Sequence, residues 1–217
     1  DTIIKTYYKK STRKRWEYKV ADCTRKAIRL FSERYFPYPY GQYSTVVSLV
    51  NGGMEYPQLT MISQRSAFRG EQYLNLESTI AHEVGHAWFY GILGFNETEQ
   101  GFLDEGLTSF ATIQHMEHYH GRRHNNFAYK KGWQRKLLPN GDERNDDQKR
   151  YIMRALMNDA DPMITPPILF EDGGRYYSAS YYKASSVYLM LQYVLGDERF
   201  DRFMSLLFER WAFKHPY

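Results

Sequence analysis

A single cysteine, Cys23, is all the sulfhydryl chemistry in this chain of 217 residues. One thiol cannot close an internal disulfide, so the fold needs no oxidising compartment. Long apolar runs are missing too. None approaches the roughly 20 residues that cross a bilayer, and no membrane segment is expected in this chain. No signal peptide is visible. The chain begins at Asp1 rather than at methionine and reads as a processed or excised piece, so the compartment stays unassigned. A large excess of one charge is also lacking. The net charge of +4 is modest, and neither a strongly basic domain nor a recognised nucleic-acid-binding fold is present, so nucleic acid is not an expected partner. The one basic cluster, Lys9, Lys10, Arg13, Lys14 and Arg15, reads as a solvated face. Internal repeats and low-complexity tracts are absent.

Core-forming material is plentiful by contrast. Hydrophobic residues make up 42% of the chain and aromatics 17%, ample for one large domain. Val20 to Tyr35 reads as an amphipathic helix with Ala27, Ile28, Leu30 and Phe31 on its apolar side, stopped by Pro37 and Pro39. Tyr43 to Val50 is β-branched and strand-like between Gly41 and Asn51-Gly52-Gly53, and Leu59 to Ser63 suits a second strand. Helices are expected over about 76–92, 101–119, 179–195 and 197–213. Asn140 to Arg150 reads as a mixed-charge turn or loop, and Asp161 to Pro167, with three prolines, as a loop. A small early sheet followed by a mainly helical remainder implies the α+β class, with helices over one face of the sheet.

The most informative segment is His82-Glu83-Val84-Gly85-His86, followed after eighteen residues by Glu105. On a helix, positions i and i+4 share a face, so both imidazoles can reach one ion. Two neutral imidazoles and a carboxylate form the three-ligand set of a catalytic zinc site, which leaves the fourth position for water. Glu83 is close enough to reach that water without ligating the metal, as a general base must. On its own the pattern also suits a helix with two satisfied core histidines. The apolar flanks Ser78 to Ala81 and Ala87 to Tyr90, and the second helix around Glu105, favour the metal reading. A further histidine group, His115, His118, His120 and His124, has no evident carboxylate or cysteine partner and reads as a polar helix end beside Arg122 and Arg123. Asn96-Glu97-Thr98 fits a glycosylation acceptor, of consequence only in a secreted eukaryotic protein. Glu55, after the Gly52-Gly53 pair, reads by itself as a solvated residue of a hairpin turn.

Four blocks in order resemble one family, the gluzincin zinc aminopeptidases that include alanyl aminopeptidases and leukotriene hydrolase. Gly52-Gly53-Met54-Glu55 is similar to the G-x-M-E-N motif, and His82 to His86 with Glu105-Gly106 to H-E-x-x-H-x18-E-G. Tyr181-Tyr182-Lys183 resembles Y-E-K-G, and Phe213-Lys214-His215-Pro216 resembles the closing F-K-H-P. The resemblance implies a thermolysin-like α+β catalytic domain over residues 1–217, with the family's flanking β and helical domains absent. It implies one zinc ion on His82, His86 and Glu105, Glu83 as base and Tyr181 as oxyanion donor. It also implies that Glu55 holds the free α-ammonium of a peptide substrate, while Gly52 and Gly53 allow close backbone approach. The expected activity is removal of N-terminal residues from peptides. An endopeptidase or epoxide hydrolase on the same scaffold, or a non-catalytic interaction domain, are the alternatives; retention of all three ligands and Glu83 counts against the last. Tyr56, Ala87, Phe102, Asp104 and Ala184 stand where the family has Asn, Gln, Trp, Asn and Gly. These departures remove no ligand and no acid/base group, and they mark a divergent branch.

Overall fold

The computed structural model describes residues 1–64, 73–122 and 142–216. Strand β1 (Ile3–Tyr7) and helices α1 (Arg13–Trp16) and α2 (Lys19–Arg34) precede strands β2 (Gln42–Ser48), β3 (Gly53–Tyr56) and β4 (Leu59–Ser63). Helices α3 (Tyr73–Gly85), α4 (Gly101–His120), α5 (Glu143–Leu156), α6 (Gly173–Tyr176), α7 (Ala184–Leu195) and α8 (Asp197–Trp211) follow. The class is α+β: a four-stranded mixed sheet in the order β1-β2-β4-β3, then mostly helix. β1 and β4 both run parallel to β2, and β3 lies antiparallel to β4 at the sheet edge. No helix among the described residues is long and apolar enough to cross a membrane.

The core forms where the apolar periodicity predicts. α2 buries Val20, Cys23, Ala27, Leu30 and Phe31, and Phe31 meets Trp88 edge-on at 5.5 Å. α4 is the central helix. Almost every side chain from Gly106 to Met116 is buried, so it shows a continuous buried surface rather than one stripe. Gly106 lets α7 approach closely, because a Cβ there would overlap that of Ala184 and press on the Ser180 carbonyl at 3.1 Å.

Three expectations need correction, and one strand goes unannounced in the sequence. Residues 143–150, read as part of a turn or loop, belong to helix α5, which runs on to Leu156. Asp142 caps it by accepting from the Asn145 backbone N–H at 2.9 Å, and Arg150 pairs with Asp146 one turn earlier at 2.6 Å. α5 buries no side chain fully, so it has no apolar stripe to betray it. β1, unassigned in the sequence, is held as an edge strand by its register with β2, from Ile3 opposite Gln42 to Tyr7 opposite Val46. The expected helix over 76–92 divides: α3 ends at Gly85, and the chain continues through Ala87–Ile92 with a kink at Phe89 and Tyr90, whose backbone is not helical. Glu55 lies within strand β3, paired with Thr60, rather than in a turn.

Candidate metal centre and active site

α3 and α4 pack against each other and bring the motif residues together. His82 sits in the last turn of α3. The His86 N–H still donates to the His82 carbonyl at 3.3 Å, which keeps both rings on one face. Their centroids are 4.9 Å apart at 86°. Glu105, in the first turns of α4, points back at both: its Oε2 lies 3.1 Å from His82 Nε2 and 3.2 Å from His86 Nε2. Three donors around a tetrahedral zinc, each at about 2.0–2.1 Å, would be about 3.3–3.4 Å from one another. The observed spacing fits that ion. The electrostatics fit as well. Burial opposes ionisation of Glu105, but the two imidazoles outweigh it and hold its carboxyl below the usual range. Burial would lower His86, yet Asp104 and Glu105 raise it well above the ordinary imidazole value. The pocket is therefore strongly attractive to positive charge, and its described ion-pair partners are the two histidines.

Glu83 is buried, and burial pushes its carboxyl up to about 7. A base poised near neutrality suits proton transfer at ordinary pH. Its place depends on Gly53, where any Cβ would overlap the Glu83 carboxylate. Gly52 holds φ +76° in the turn between β2 and β3, a conformation glycine adopts without cost, and its carbonyl accepts from the Ser63 N–H at 2.8 Å. Tyr181 lies in a π-helical stretch, Tyr177–Lys183. Its phenol donates to Glu105 Oε1, and its ring stacks on His82 at 5.7 Å and 14°. Burial, then the Glu105 carboxylate, push the phenol well up, so it is a donor at all ordinary pH. Lys183, which singles Tyr181 out in the sequence, bonds the Asp161 carbonyl at 2.9 Å and so anchors the stretch that carries it.

Glu55 is half-buried at the other side of the centre, and burial raises its carboxyl. A Glu55 oxygen, a His86 nitrogen and an Asp104 oxygen lie within 4.8 Å of one another. Next to His82 opens a cavity of about 460 Å³, lined by Gly52, Gly53, His82, Glu83, Asp147 and Tyr181 among others. Of the eight site residues named from the sequence, Gly52, Gly53, His82, Glu83 and Tyr181 line this cavity; Glu105 contacts His82, His86 and Tyr181, and Glu55 lies near His86.

Other members of this environment escape the sequence reading. Asp147, in α5, faces the cleft, accepts from Ser185 Oγ at 2.9 Å, and is pushed up to about 7 by burial; no motif signals it. Asp104 accepts from His86 Nδ1 at 2.7 Å. The histidine group at the end of α4 does have a carboxylate partner: Glu77, fully buried in α3, lies 3.3 Å from His115 and 3.0 Å from His120. Glu77 is 38 positions before His115, so spacing alone could not pair them. His124 and Arg123 lie outside the described residues.

Residues 19–216 match the peptidase family M1 domain. Among curated proteins, leucine aminopeptidase 2 of Emericella nidulans is 25% identical over 207 residues, covering 94% of this chain and 31% of that protein. The enzyme of the same name from Coccidioides immitis is 25% identical over 195 residues, covering 88% and 29%. The chain thus spans about a third of the length of these relatives. Among solved structures, leukotriene A4 hydrolase from Saccharomyces cerevisiae superposes with a TM-score of 0.72 at 18% identity, over 97% of this chain and 32% of that one. An M1 zinc metallopeptidase from Deinococcus radiodurans gives 0.60 at 17% identity, over 93% and 38%.

Proposed function

The chain belongs to peptidase family M1, and on that footing we propose that it is the catalytic domain of a zinc aminopeptidase that removes N-terminal residues from peptides. The observation that carries the proposal is the convergence of His82, His86 and Glu105 at zinc-ligand spacing, with the buried Glu83 beside them. His82 Nε2, His86 Nε2 and a Glu105 oxygen would hold one zinc ion. When bound, zinc polarises the scissile carbonyl and acidifies the attacking water.

Glu83 takes the proton of that water and passes it to the leaving amine. Its high proton affinity lets one carboxylate serve as base and then as acid. Tyr181 turns its phenol from Glu105 to the carbonyl oxygen as negative charge develops there, a contact worth about 10²–10³ in rate. Glu55 binds the substrate ammonium by a charge-assisted bond. That contact fixes the first peptide bond, rather than an internal one, at the reacting groups. Gly52 and Gly53 leave the backbone open beside it. The similarity of the chain to leucine aminopeptidases supports this reading, and so does its retention of every ligand and of Glu83.

The test compares free and N-acetylated peptides as substrates of the full-length protein, for wild type and Glu55→Gln. Free-amine substrates should be cleaved and acetylated ones barely. Glu55→Gln should lower kcat/KM for the free amine by one to two decades, from about 1.5–3 kcal/mol of lost charge-assisted bonding. Equal cleavage of both substrates by wild type would point to an endopeptidase instead.

A further inference from the structure

The carboxylate–histidine pair behind the centre sets this chain apart from its family's pattern. Asp104 stands where the resembling motif has asparagine. Its side chain is 2% exposed and that of His86 is 1% exposed. Asp104 Oδ1 accepts from His86 Nδ1 at 2.7 Å, and Thr108 Oγ1 adds a second contact to the same nitrogen at 3.3 Å. With Nδ1 carrying the proton, the lone pair of Nε2 faces Glu105 and the place of the ion. His82 has no such backing: among the described residues its polar contact is Nε2 to Glu105, and its ring leans on Tyr181.

An asparagine could accept the same bond, but it is neutral. Aspartate offers a carboxylate in a place closed to water; burial raises its carboxyl and the His86 ring opposes that shift, and its only described ion-pair partner is His86. Asp104 and Glu105 set two buried carboxyl groups against the two imidazoles, with Glu83 beside them, and a dication at their centre would relieve that crowding of acidic groups. Groups that orient a metal-bound histidine also raise its basicity, and losing one typically costs 10–100-fold in metal affinity.

We propose that Asp104 is a positioning residue that fixes the tautomer of His86 and, as a charge where the family motif carries a neutral amide, tightens this chain's hold on its metal ion. The inference rests on the zinc reading above. It makes His86 the strongly held ligand and His82 the weaker one.

The experiment measures the zinc dissociation constant of the full-length protein by competition with a chelator, for wild type and Asp104→Asn, with circular dichroism of both metal-free forms. Asp104→Asn should keep its fold and bind zinc 10–100-fold more weakly. Equal zinc affinity in a folded variant would overturn the role of Asp104 and leave the peptidase reading intact. Failure of wild type to bind zinc would overturn both. A second measurement needs no variant. In the cobalt-loaded wild type, the ring N–H of His86, shielded by Asp104, should exchange with deuterated water much more slowly than that of His82. Loss of both metal-shifted signals at one rate would also overturn the proposal.

Discussion

Glu83 can occupy its position only because residue 53 has no side chain. Gly53→Ala would meet the far end of a flexible glutamate, which can swing aside at little cost. Stability should therefore change by less than about 1 kcal/mol, while turnover falls by roughly two decades, since a misplacement of about 1 Å at a reacting group costs that much. Denaturant midpoints and kcat together separate the two effects, and Glu83→Gln gives the floor to compare against. Asp147 makes a prediction about pH. Its folded value near 7 stands above the ordinary carboxylate value of about 4. Between those two values the folded chain keeps a proton that the unfolded chain releases, so this residue lowers stability as pH rises through the window. Asp147→Asn, neutral throughout, should gain stability over wild type from pH 4 to 7 and hold the gain above it. Urea midpoints at pH 5 and 8 would show a larger advantage at pH 8. The two residues also differ in how far the sequence announces them. Glu83 belongs to a local signature whose helix geometry dictates its neighbours. Asp147 is placed by packing of α5 against the stretch that holds Tyr181, and nothing local to it encodes that contact.

At the scale of elements, the crossing of α4 and α7 is set by Gly106. Alanine there would gain about 1 kcal/mol of helix propensity, but it would overlap Ala184 and crowd the Ser180 carbonyl, and overpacking costs about 1–3 kcal/mol. Gly106→Ala should be destabilised on balance, and Ala184→Gly in the same chain should restore part of the loss in chemical denaturation. The helices with apolar stripes, α2 and α8, were legible from periodicity to within two residues, as was β4; the strand over β2 was legible to its start within one residue. α4 was legible as well, from its length and continuous apolar content. α5 was not, because its stability comes from a capping aspartate, an i,i+4 ion pair and half-buried packing, none of which produces an alternation. β1 and β3 are short edge strands; β3 pairs with its sequence neighbour β4, whereas the partner of β1 is about forty residues away, and the five positions of β1 alternate only between exposed and half-buried.

Across the whole molecule, the proposed metal joins two helices that are otherwise held by packing and, at their far ends, by Glu77 with His115 and His120. Its ligands come from the end of α3 and the start of α4, so removal should loosen that junction. At zinc a thousandfold above its dissociation constant, binding adds about 4 kcal/mol to stability. For a domain of this size, chelation should then lower Tm by roughly 10 °C, and zinc should restore it. Differential scanning fluorimetry with chelator and with added zinc checks this, and an unchanged Tm would mean that the junction does not depend on the ion. One feature of α2 gives the molecule an experimental property of its own. Cys23, the sole thiol in the sequence, is fully buried in the core. A cysteine introduced on the surface would thus be the single site open to a thiol-reactive dye, with no background substitution needed. Left as it is, Cys23 becomes a clock: the rate at which a thiol reagent reaches it reports how often α2 lifts from the core.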